Sequence, residues 1–297
     1  MKKIVRCLSL IVLLLFTGCF KKDPILENRM SNGEILVYDI ANNEFYTGTV
    51  ETTKINFLNT KYVAMSSEVK NGRKNGITKE YYHNGNLTYE KNYKDGSVDG
   101  VAKYYFFNGQ LDTETTYKNG KQNGTYKEYY EKNGQLKLEG TMKDGNKDKA
   151  WKAYHSNGKL KHKENYNDNK KDGTWKSYYE NGELESESTY KKGVQNGTWK
   201  TYYDDGKLKS ESIYKNGDKD GTWKEYYHSG QIYTEKSYSN GKLNGPSNSY
   251  FSDGKLNLSS TYKNGKANGT ATFYDEGGNI TGQVIYKDDV IQKVIEY

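Results

Sequence analysis

Glycines recur along this chain at a nearly constant interval, and that spacing limits the possible fold more than any other feature. Seven of the eight intervals between them are 24 residues, and the positions are Gly85, Gly109, Gly134, Gly158, Gly182, Gly206, Gly230, Gly254 and Gly278. The remaining interval is 25 residues, because one residue is added near Glu131 and Lys132. A fixed period of this length indicates a repeat protein, in which each repeat packs against its neighbours.

Each repeat has the sequence pattern of a β-hairpin. In the repeat that starts at Gly173, residues alternate between two faces from Thr174 to Tyr179, and a second alternating run follows Asn181-Gly182. Two such runs separated by Asn-Gly predict a hairpin with a type I′ turn, in which both turn residues have positive φ. The longer segment KGVQNG supplies the second turn. We therefore predict an all-β chain, an elongated single-layer antiparallel meander of about eighteen strands.

The N-terminal segment predicts export. Lys2, Lys3 and Arg6 precede an apolar run over residues 8–16, which ends in Thr17-Gly18-Cys19. A basic start, an apolar run too short to span a bilayer and small residues before a cleavage site are typical of a secretory signal peptide.

The cysteine makes this segment resemble a bacterial lipoprotein signal, although Phe16 stands where leucine is usual. The resemblance implies cleavage after residue 18 and lipidation of Cys19, with residues 19–28 as a tether. We expect an exported protein, lipid-anchored to the cell membrane, or to the outer membrane if the organism has one. A plain signal peptide with an incidental cysteine is the alternative.

Composition restricts the functions of the mature chain. Without Lys2, Lys3 and Arg6 it has 42 basic and 38 acidic residues, a net charge of +4. This near balance argues against a nucleic-acid-binding protein, which concentrates basic residues on one face. With Cys7 removed and Cys19 lipidated, no thiol is left for a disulfide or a metal site. Only 33% of residues are hydrophobic while 30 are tyrosine, which favours a thin sheet held by aromatic rings.

The segments that flank the regular repeats predict caps. Residues 29–72 contain a degenerate repeat and are interpreted as an N-terminal capping repeat, followed by the array over residues 73–278. Residues 279–297 are more aliphatic than any internal repeat and are predicted to form C-terminal capping strands that cover an open strand edge.

One column of the repeat predicts the better core. Two places after the glycine that starts each first strand, large rings occupy the middle five repeats and small residues the ends: Thr78, Ala102, Tyr126, Trp151, Trp175, Trp199, Trp223, Ser247 and Ala271. We call this the Trp column. A two-residue turn at Asn84-Gly85 would place Tyr82 opposite Leu87 on the same face.

The other face of the predicted sheet carries charges and a tyrosine column. The same register places Lys79 opposite Glu90, and it pairs Lys103 with Glu114, Lys176 with Glu187, Lys200 with Glu211 and Lys224 with Glu235. The fifth place after the strand-start glycine is always tyrosine: Tyr81, Tyr105, Tyr129, Tyr154, Tyr178, Tyr202, Tyr226, Tyr250 and Tyr274. We call it the fifth-place Tyr column. Because Lys152 faces Lys163 and Lys149 replaces the glycine, residues 144–165 are predicted to be the weakest part.

The repeats, of the form GTWKEYYxxGxL followed by YKNGxxxG, resemble the bacterial variant of the MORN repeat, as found in YwqK-like antitoxin proteins. The resemblance covers residues 29–297. It implies an elongated single-layer antiparallel sheet and little about activity. An antitoxin meets its toxin in the cytoplasm, so an export signal argues against that role here.

No residue pattern predicts catalysis, a metal site or a cofactor. The four histidines are His83, His155, His162 and His228, and His83 and His228 occupy the same place before a turn, which indicates surface variation. The repeated glutamates are explained by pairing with lysine. The chain is therefore predicted not to be an enzyme.

Two functions remain open. The first is a surface scaffold, a monomer that binds a protein partner through the sheet, and the second is binding of cell wall or glycan through the repeated Tyr and Trp columns. The fifth-place Tyr column is the candidate binding face, although packing alone could also explain a recurring ring. The partner's identity cannot be read from the sequence.

Overall fold

The computed structural model describes residues 26–31, 34–40, 42–56 and 58–297. Within these ranges every regular element is a β-strand. The chain divides into two compact units, one up to Asn146 and the other from Lys147 to Tyr297. The predicted signal peptide, most of the predicted tether and the predicted lipidation site Cys19 lie outside the described residues.

The N-terminal unit contains eleven complete strands. They are β1 (Leu26–Ser31), β2 (Glu34–Asp39), β3 (Glu44–Phe45), β4 (Gly48–Ile55), β5 (Lys61–Lys70), β6 (Arg73–Tyr81), β7 (Leu87–Lys94), β8 (Ser97–Tyr105), β9 (Leu111–Lys118), β10 (Lys121–Tyr129) and β11 (Leu136–Lys143). The first three form a small sheet, and β4–β11 pair antiparallel in sequence order.

The C-terminal unit continues the same pattern. Its strands are β12 (Asn146–Tyr154), β13 (Leu160–Asn167), β14 (Lys170–Lys171), β15 (Gly173–Tyr178), β16 (Leu184–Lys191), β17 (Val194–Tyr202), β18 (Leu208–Lys215), β19 (Asp218–Lys219), β20 (Gly221–Tyr226), β21 (Ile232–Ser239), β22 (Lys242–Tyr250), β23 (Leu256–Lys263), β24 (Lys266–Ala267), β25 (Gly269–Tyr274), β26 (Ile280–Lys287) and β27 (Val290–Glu296). The short strands β14, β19 and β24 each continue, after a one-residue break, into the next strand. Within each unit the described repeat strands pair with sequence neighbours in one open layer. The predicted all-β, single-layer antiparallel meander of hairpins is confirmed.

The turn inside each repeat is not the predicted type I′ turn. Between β6 and β7, the Gly85 N–H donates to Tyr82 O over 3.0 Å, and the Tyr82 N–H donates to Asn86 O over 2.8 Å. Within the predicted turn pair only Gly85 has positive φ, at 88°. These contacts are typical of a three-residue loop that ends in a left-handed residue. Leu87 therefore pairs with Tyr81, and the predicted pairing with Tyr82 is wrong.

A β-bulge next to this turn restores the predicted register. It lies between Glu80 and Tyr81, where the second strand has one extra residue, and beyond it Lys79 lies opposite Glu90 as predicted. The same pairing recurs for Lys103 with Glu114, Lys176 with Glu187, Lys200 with Glu211 and Lys224 with Glu235.

The turn between repeats is the type I′ turn. Between β16 and β17, Lys191 pairs with Val194, and both intervening residues have positive φ, 51° at Lys192 and 88° at Gly193. A second bulge follows this turn and contains the strand-start glycine, which is Gly197 here with φ of 113°. Because the link reverses the chain in two residues, consecutive repeats are hydrogen-bonded neighbours.

The interior is thin, as predicted. Among the described residues the buried hydrophobic side chains are Leu36, Tyr38, Tyr46, Ala64, Val69, Ala102, Met142, Trp151 and Ala271. In the Trp column Trp151 is 1% exposed, whereas Trp175, Trp199 and Trp223 are half-buried. The Trp column therefore provides a fully buried ring in one repeat and partly solvent-exposed rings in the next three.

The small sheet of β1–β3 is joined to the rest of the N-terminal unit by main-chain contacts at the β5–β6 turn. The Val37 N–H donates to Gly72 O over 2.9 Å, and the Gly72 N–H donates to Tyr46 O over 2.7 Å. A Cβ atom at Gly72 would lie 2.8 Å from Val37 O, so the approach requires glycine. This contact lies inside the predicted N-terminal cap.

The last strand leaves its aliphatic side chains in solvent. β27 pairs with β26, and Val290, Ile291 and Val294 are each more than half exposed. The capping role of residues 279–297 stays a prediction.

Candidate functional site: a charged face with a tyrosine column

One face of the sheet carries a row of lysine and glutamate side chains that alternate from strand to strand. In the N-terminal unit the order is Lys79, Glu90, Lys103, Glu114, Lys127 and Glu139, and each pairs with the next. The ammonium of Lys79 lies 3.3 Å from Glu90, and that of Lys103 lies 3.8 Å from Glu114. We call this row, and the corresponding row of the C-terminal unit, the Lys/Glu ladder.

The C-terminal unit has a row of the same kind, with an irregular start. Lys152 pairs with Lys163 and Lys163 with Lys176, so three lysines follow one another. From Lys176 the alternation is regular, and its ammonium lies 2.6 Å from Glu187. The sequence correctly predicted Lys152 opposite Lys163. Like charges directly opposite each other destabilise a strand pair.

The fifth-place Tyr column lies on the ladder face. All nine tyrosines are half-buried. The hydroxyl of Tyr226 donates to the Glu211 carboxylate over 2.7 Å. Burial, and then the hydrogen bond to Glu211, raises the pKa of Tyr226 well above its ordinary value. Burial and the charge of Glu90 also raise the pKa of Tyr105. The face therefore offers phenol rings and hydroxyls among paired charges.

The opposite face carries an aromatic layer that the sequence predicted only in part. The Trp175 ring lies between two tyrosines, 5.2 Å from Tyr166 and 5.5 Å from Tyr190 between ring centroids. The ammonium of Lys171 lies 3.8 Å from the Trp175 centroid and 4.8 Å from that of Tyr190. Such contacts are cation–π interactions. The signal for them was in the sequence, since lysine stands four places before Trp151, Trp175 and Trp223, but our sequence analysis missed it.

A second missed feature links four repeats to the repeat that follows each of them. In these four, the tyrosine at the sixth place, next to the fifth-place Tyr column, donates its hydroxyl to a main-chain oxygen of the following repeat. The distances are 3.0 Å from Tyr82 to Tyr105 O, 2.8 Å from Tyr179 to Tyr202 O, 2.8 Å from Tyr203 to Tyr226 O and 2.8 Å from Tyr227 to Tyr250 O. His155 replaces this tyrosine, and its Nε2 lies 3.0 Å from Tyr178 O. Because a carbonyl only accepts, His155 Nε2 is the donor.

The histidines lie at separate turns and strands: His83, His155 and His228 follow first strands, and His162 lies in β13. His83 and His228 are exposed at their turns, and His228 Nε2 lies 3.4 Å from an Asp205 carboxylate oxygen. His162 is half-buried, and burial lowers its pKa. In the part of the chain that the structure describes, no three His, Cys, Asp or Glu side chains are grouped so that they could hold a metal ion. A helix long and apolar enough to cross a membrane is also not found among those residues.

A family profile, described as the MORN repeat variant, matches eight segments that together make up more than half of the chain. They are residues 74–95, 98–119, 147–168, 171–192, 195–216, 219–240, 243–264 and 267–288. The chain belongs to the MORN repeat variant family. Each matched MORN segment begins in a first strand and ends in the type I′ turn before the next repeat, so its boundaries agree with the hairpins seen here.

The gap between the matched segments falls on the repeat that carries the extra residue. That repeat, β10 and β11, still forms a hairpin, but its Gly134 N–H donates to Tyr130 O four residues back, whereas the other turns span three. It therefore has the MORN architecture with a wider turn.

Two solved structures match most of this MORN chain at low similarity. The crystal structure of TcdB2-TccC3 is 12% identical with a TM-score of 0.21, and the match covers 93% of this chain and 18% of that one. The crystal structure of TcdB2-TccC3-TEV is 13% identical with a TM-score of 0.20, covering 89% and 15%. No curated protein matches the sequence significantly. Nothing about function follows from these similarities.

Proposed function

We propose that this protein is a non-enzymatic exported lipoprotein, anchored through Cys19, whose MORN sheet is a scaffold for protein–protein interaction at the cell surface or in the envelope. The observation that carries the proposal is the ladder face, where half-buried tyrosines lie among alternating charges. Tyrosine is enriched in the centre of protein interfaces because it combines a large ring with a polar hydroxyl.

The charges of this face support a partner that is not strongly charged. Lys176 pairs with Glu187 and Lys224 with Glu235, so most charge is neutralised within the sheet. Exposed pairs of this kind contribute little energy and leave no large field of one sign. Affinity would therefore come from the tyrosine rings and hydroxyls. The same pairing explains the glutamates without acid–base chemistry, which supports a non-enzymatic role.

The face can be tested by photo-crosslinking in intact cells. A p-benzoylphenylalanine residue in place of Tyr202, on the ladder face, should give a discrete crosslinked protein. The same residue in place of Tyr262, on the opposite face in a repeat without tryptophan, is the matched control and should not give that product. Equal crosslinking from both positions, or none from either, would refute the ladder face as the binding surface.

The anchor requires a separate experiment. Cys19→Ala should leave the protein unprocessed or release it from the membrane, whereas Cys7→Ala, inside the predicted signal peptide, should leave anchoring intact. Normal cleavage together with membrane retention in Cys19→Ala would contradict lipidation. This test does not depend on which face binds a partner.

Binding of cell wall or glycan is the second candidate, and the half-buried rings of the fifth-place Tyr column favour it because sugars stack on exposed aromatic faces. Sedimentation with purified cell walls, compared for the native chain and Tyr202→Ala, separates it from the scaffold. The resemblance to bacterial YwqK-like antitoxin proteins is a weaker third candidate, since an exported protein does not meet a cytoplasmic toxin.

A further inference from the structure

Three of the four tryptophan repeats contain a lysine ammonium held between two aromatic rings. Lys171 lies over Trp175 and Tyr190 at 3.8 and 4.8 Å. Lys219 lies over Trp223 and Tyr238 at 4.0 and 5.1 Å. In the third repeat Lys147 lies over Trp151 at 4.3 Å and over Tyr166 at 5.0 Å. In three repeats, therefore, a lysine ammonium contacts one tryptophan ring and one tyrosine ring in the same arrangement.

The fourth tryptophan repeat has the rings without the cation. The centroids of Trp199 and Tyr214 are 5.6 Å apart, close to the 5.5 Å between Trp175 and Tyr190. The position of the lysine is taken by Gln195, a neutral side chain. Its Nε2 atom is buried and has no hydrogen-bond partner. The Nε1 atom of Trp199 is likewise buried without a partner.

No hydrogen bond from Nε2 therefore holds the Gln195 amide between the rings. An unpaired buried amide loses its hydrogen bonds to water and gains nothing in exchange, so its displacement is cheap. The faces of indole and phenol rings carry negative potential, which attracts a cation more strongly than a neutral amide. Lys147 and Lys171 occupy consecutive repeats, so one ammonium in each repeat is compatible with the sheet.

We propose that the rings of Trp199 and Tyr214 form a socket for an external alkylammonium group, such as a lysine side chain of a binding partner or a free amine, which enters by displacing the Gln195 amide. An alkylammonium group fits between such rings, because the chain's own lysines occupy the equivalent space in three repeats. The socket lies on the face opposite the ladder, so it goes beyond the surface proposed above and does not depend on it.

Indole NMR of the full chain tests the socket directly. Four tryptophans give four Nε1–H signals, and Trp199→Phe identifies the signal of Trp199. Butylammonium chloride should shift the Trp199 signal and leave the other three in place, with sodium chloride as the control for ionic strength. N-acetyl-lysine methylamide then distinguishes a lysine side chain from a simple amine.

Two reciprocal variants decide the proposal. Gln195→Lys supplies an internal ammonium and should weaken butylammonium binding about tenfold or more. Lys171→Gln removes the ammonium that lies over Trp175 and Tyr190. In this variant, butylammonium should also shift the Trp175 Nε1–H signal. Gln195→Met, neutral and of similar size, should keep binding, which controls for the loss of the amide.

Three results would overturn the proposal: equal shifts of all four indoles, full binding by Gln195→Lys, or no gain in Lys171→Gln. A shift of the Trp199 signal caused by sodium acetate but not by butylammonium would also overturn the proposal. The site would then bind an anion, with the N–H groups of Gln195 and Trp199 as hydrogen-bond donors. If Gln195→Lys does not fold, the gain in Lys171→Gln decides alone.

Discussion

Lys149 occupies a backbone position that glycine fills in the other eight repeats. Its φ is 61°, and the corresponding glycines, such as Gly173 and Gly197, have φ of 88° and 113°. For a residue with a Cβ atom the left-handed region costs about 1–2 kcal/mol. The sequence predicted this site as a weak point because a lysine interrupts a glycine column. The positive φ at Lys149 was not predicted.

Lys149→Gly should stabilise the protein by about 1 kcal/mol, because glycine adopts positive φ without steric cost. The free energy of unfolding in urea measures the change, and hydrogen exchange of β12 and β13 localises it. The reverse change in the next repeat, Gly173→Lys, should destabilise by a similar amount. A neutral or destabilising Lys149→Gly would show that the backbone there carries no strain.

The hairpins show which parts of an element can be predicted from sequence. Asn-Gly suits a type I′ turn, but it also suits the three-residue loop found here, and a side-chain contact selects between them. In one repeat Asn181 Oδ1 accepts the Glu183 N–H over 2.9 Å, and Asn181 Nδ2 donates to Asp204 O in the next repeat over 2.7 Å. Contacts across 23 residues cannot be read from a local pattern. The charge pairing was still predicted correctly because the bulge offsets the longer loop.

The tyrosines of the sixth place provide a test of how one hairpin holds the next. Tyr203→Phe removes only the hydroxyl that donates to Tyr226 O and should cost about 0.5–1.5 kcal/mol of stability. The loss should appear as faster hydrogen exchange at the β18–β20 boundary. Tyr202→Phe is the control, one place earlier on the other face, and should change little. Equal effects from both variants would argue against the hydrogen bond between repeats.

The interrupted ladder gives a second prediction for the strands. Lys163→Glu would place a carboxylate between Lys152 and Lys176, as in the regular part of the ladder. We expect a gain of about 0.2–1 kcal/mol, measured by urea unfolding at low salt. The gain should shrink at high salt because surface charges are screened. A gain that does not depend on salt would have another origin, for which Lys163→Gln is the control.

Across the whole molecule, tyrosine ionisation should limit stability in alkali. Burial raises the pKa of tyrosines in both units, including Tyr93, Tyr117, Tyr214 and Tyr238. A tyrosine with a raised pKa in the folded state contributes its stability fully below its unfolded pKa of about 10. Above that pH the unfolded chain loses protons first, so stability falls as pH rises.

The free energy of unfolding should therefore be constant between about pH 8 and 9 and should decrease above about pH 10. Urea titrations at several pH values measure the decrease. Absorbance of tyrosinate separates this cause from loss of the lysine charges, since folded tyrosines should ionise at higher pH than those of the urea-unfolded chain. Coincident titration of folded and unfolded tyrosines would contradict the burial described here.

The Tyr203 hydroxyl ends on a main-chain oxygen of the next repeat, and every possible successor has such an oxygen. This hydrogen bond therefore does not depend on which side chain the next repeat has at the contact. A gene segment that encodes one period can be duplicated, lost or exchanged by unequal recombination, and the new junction still forms the same hydrogen bond. The array can grow or shorten in steps of 24 residues. The number of repeats can therefore change during evolution without any new type of contact between repeats.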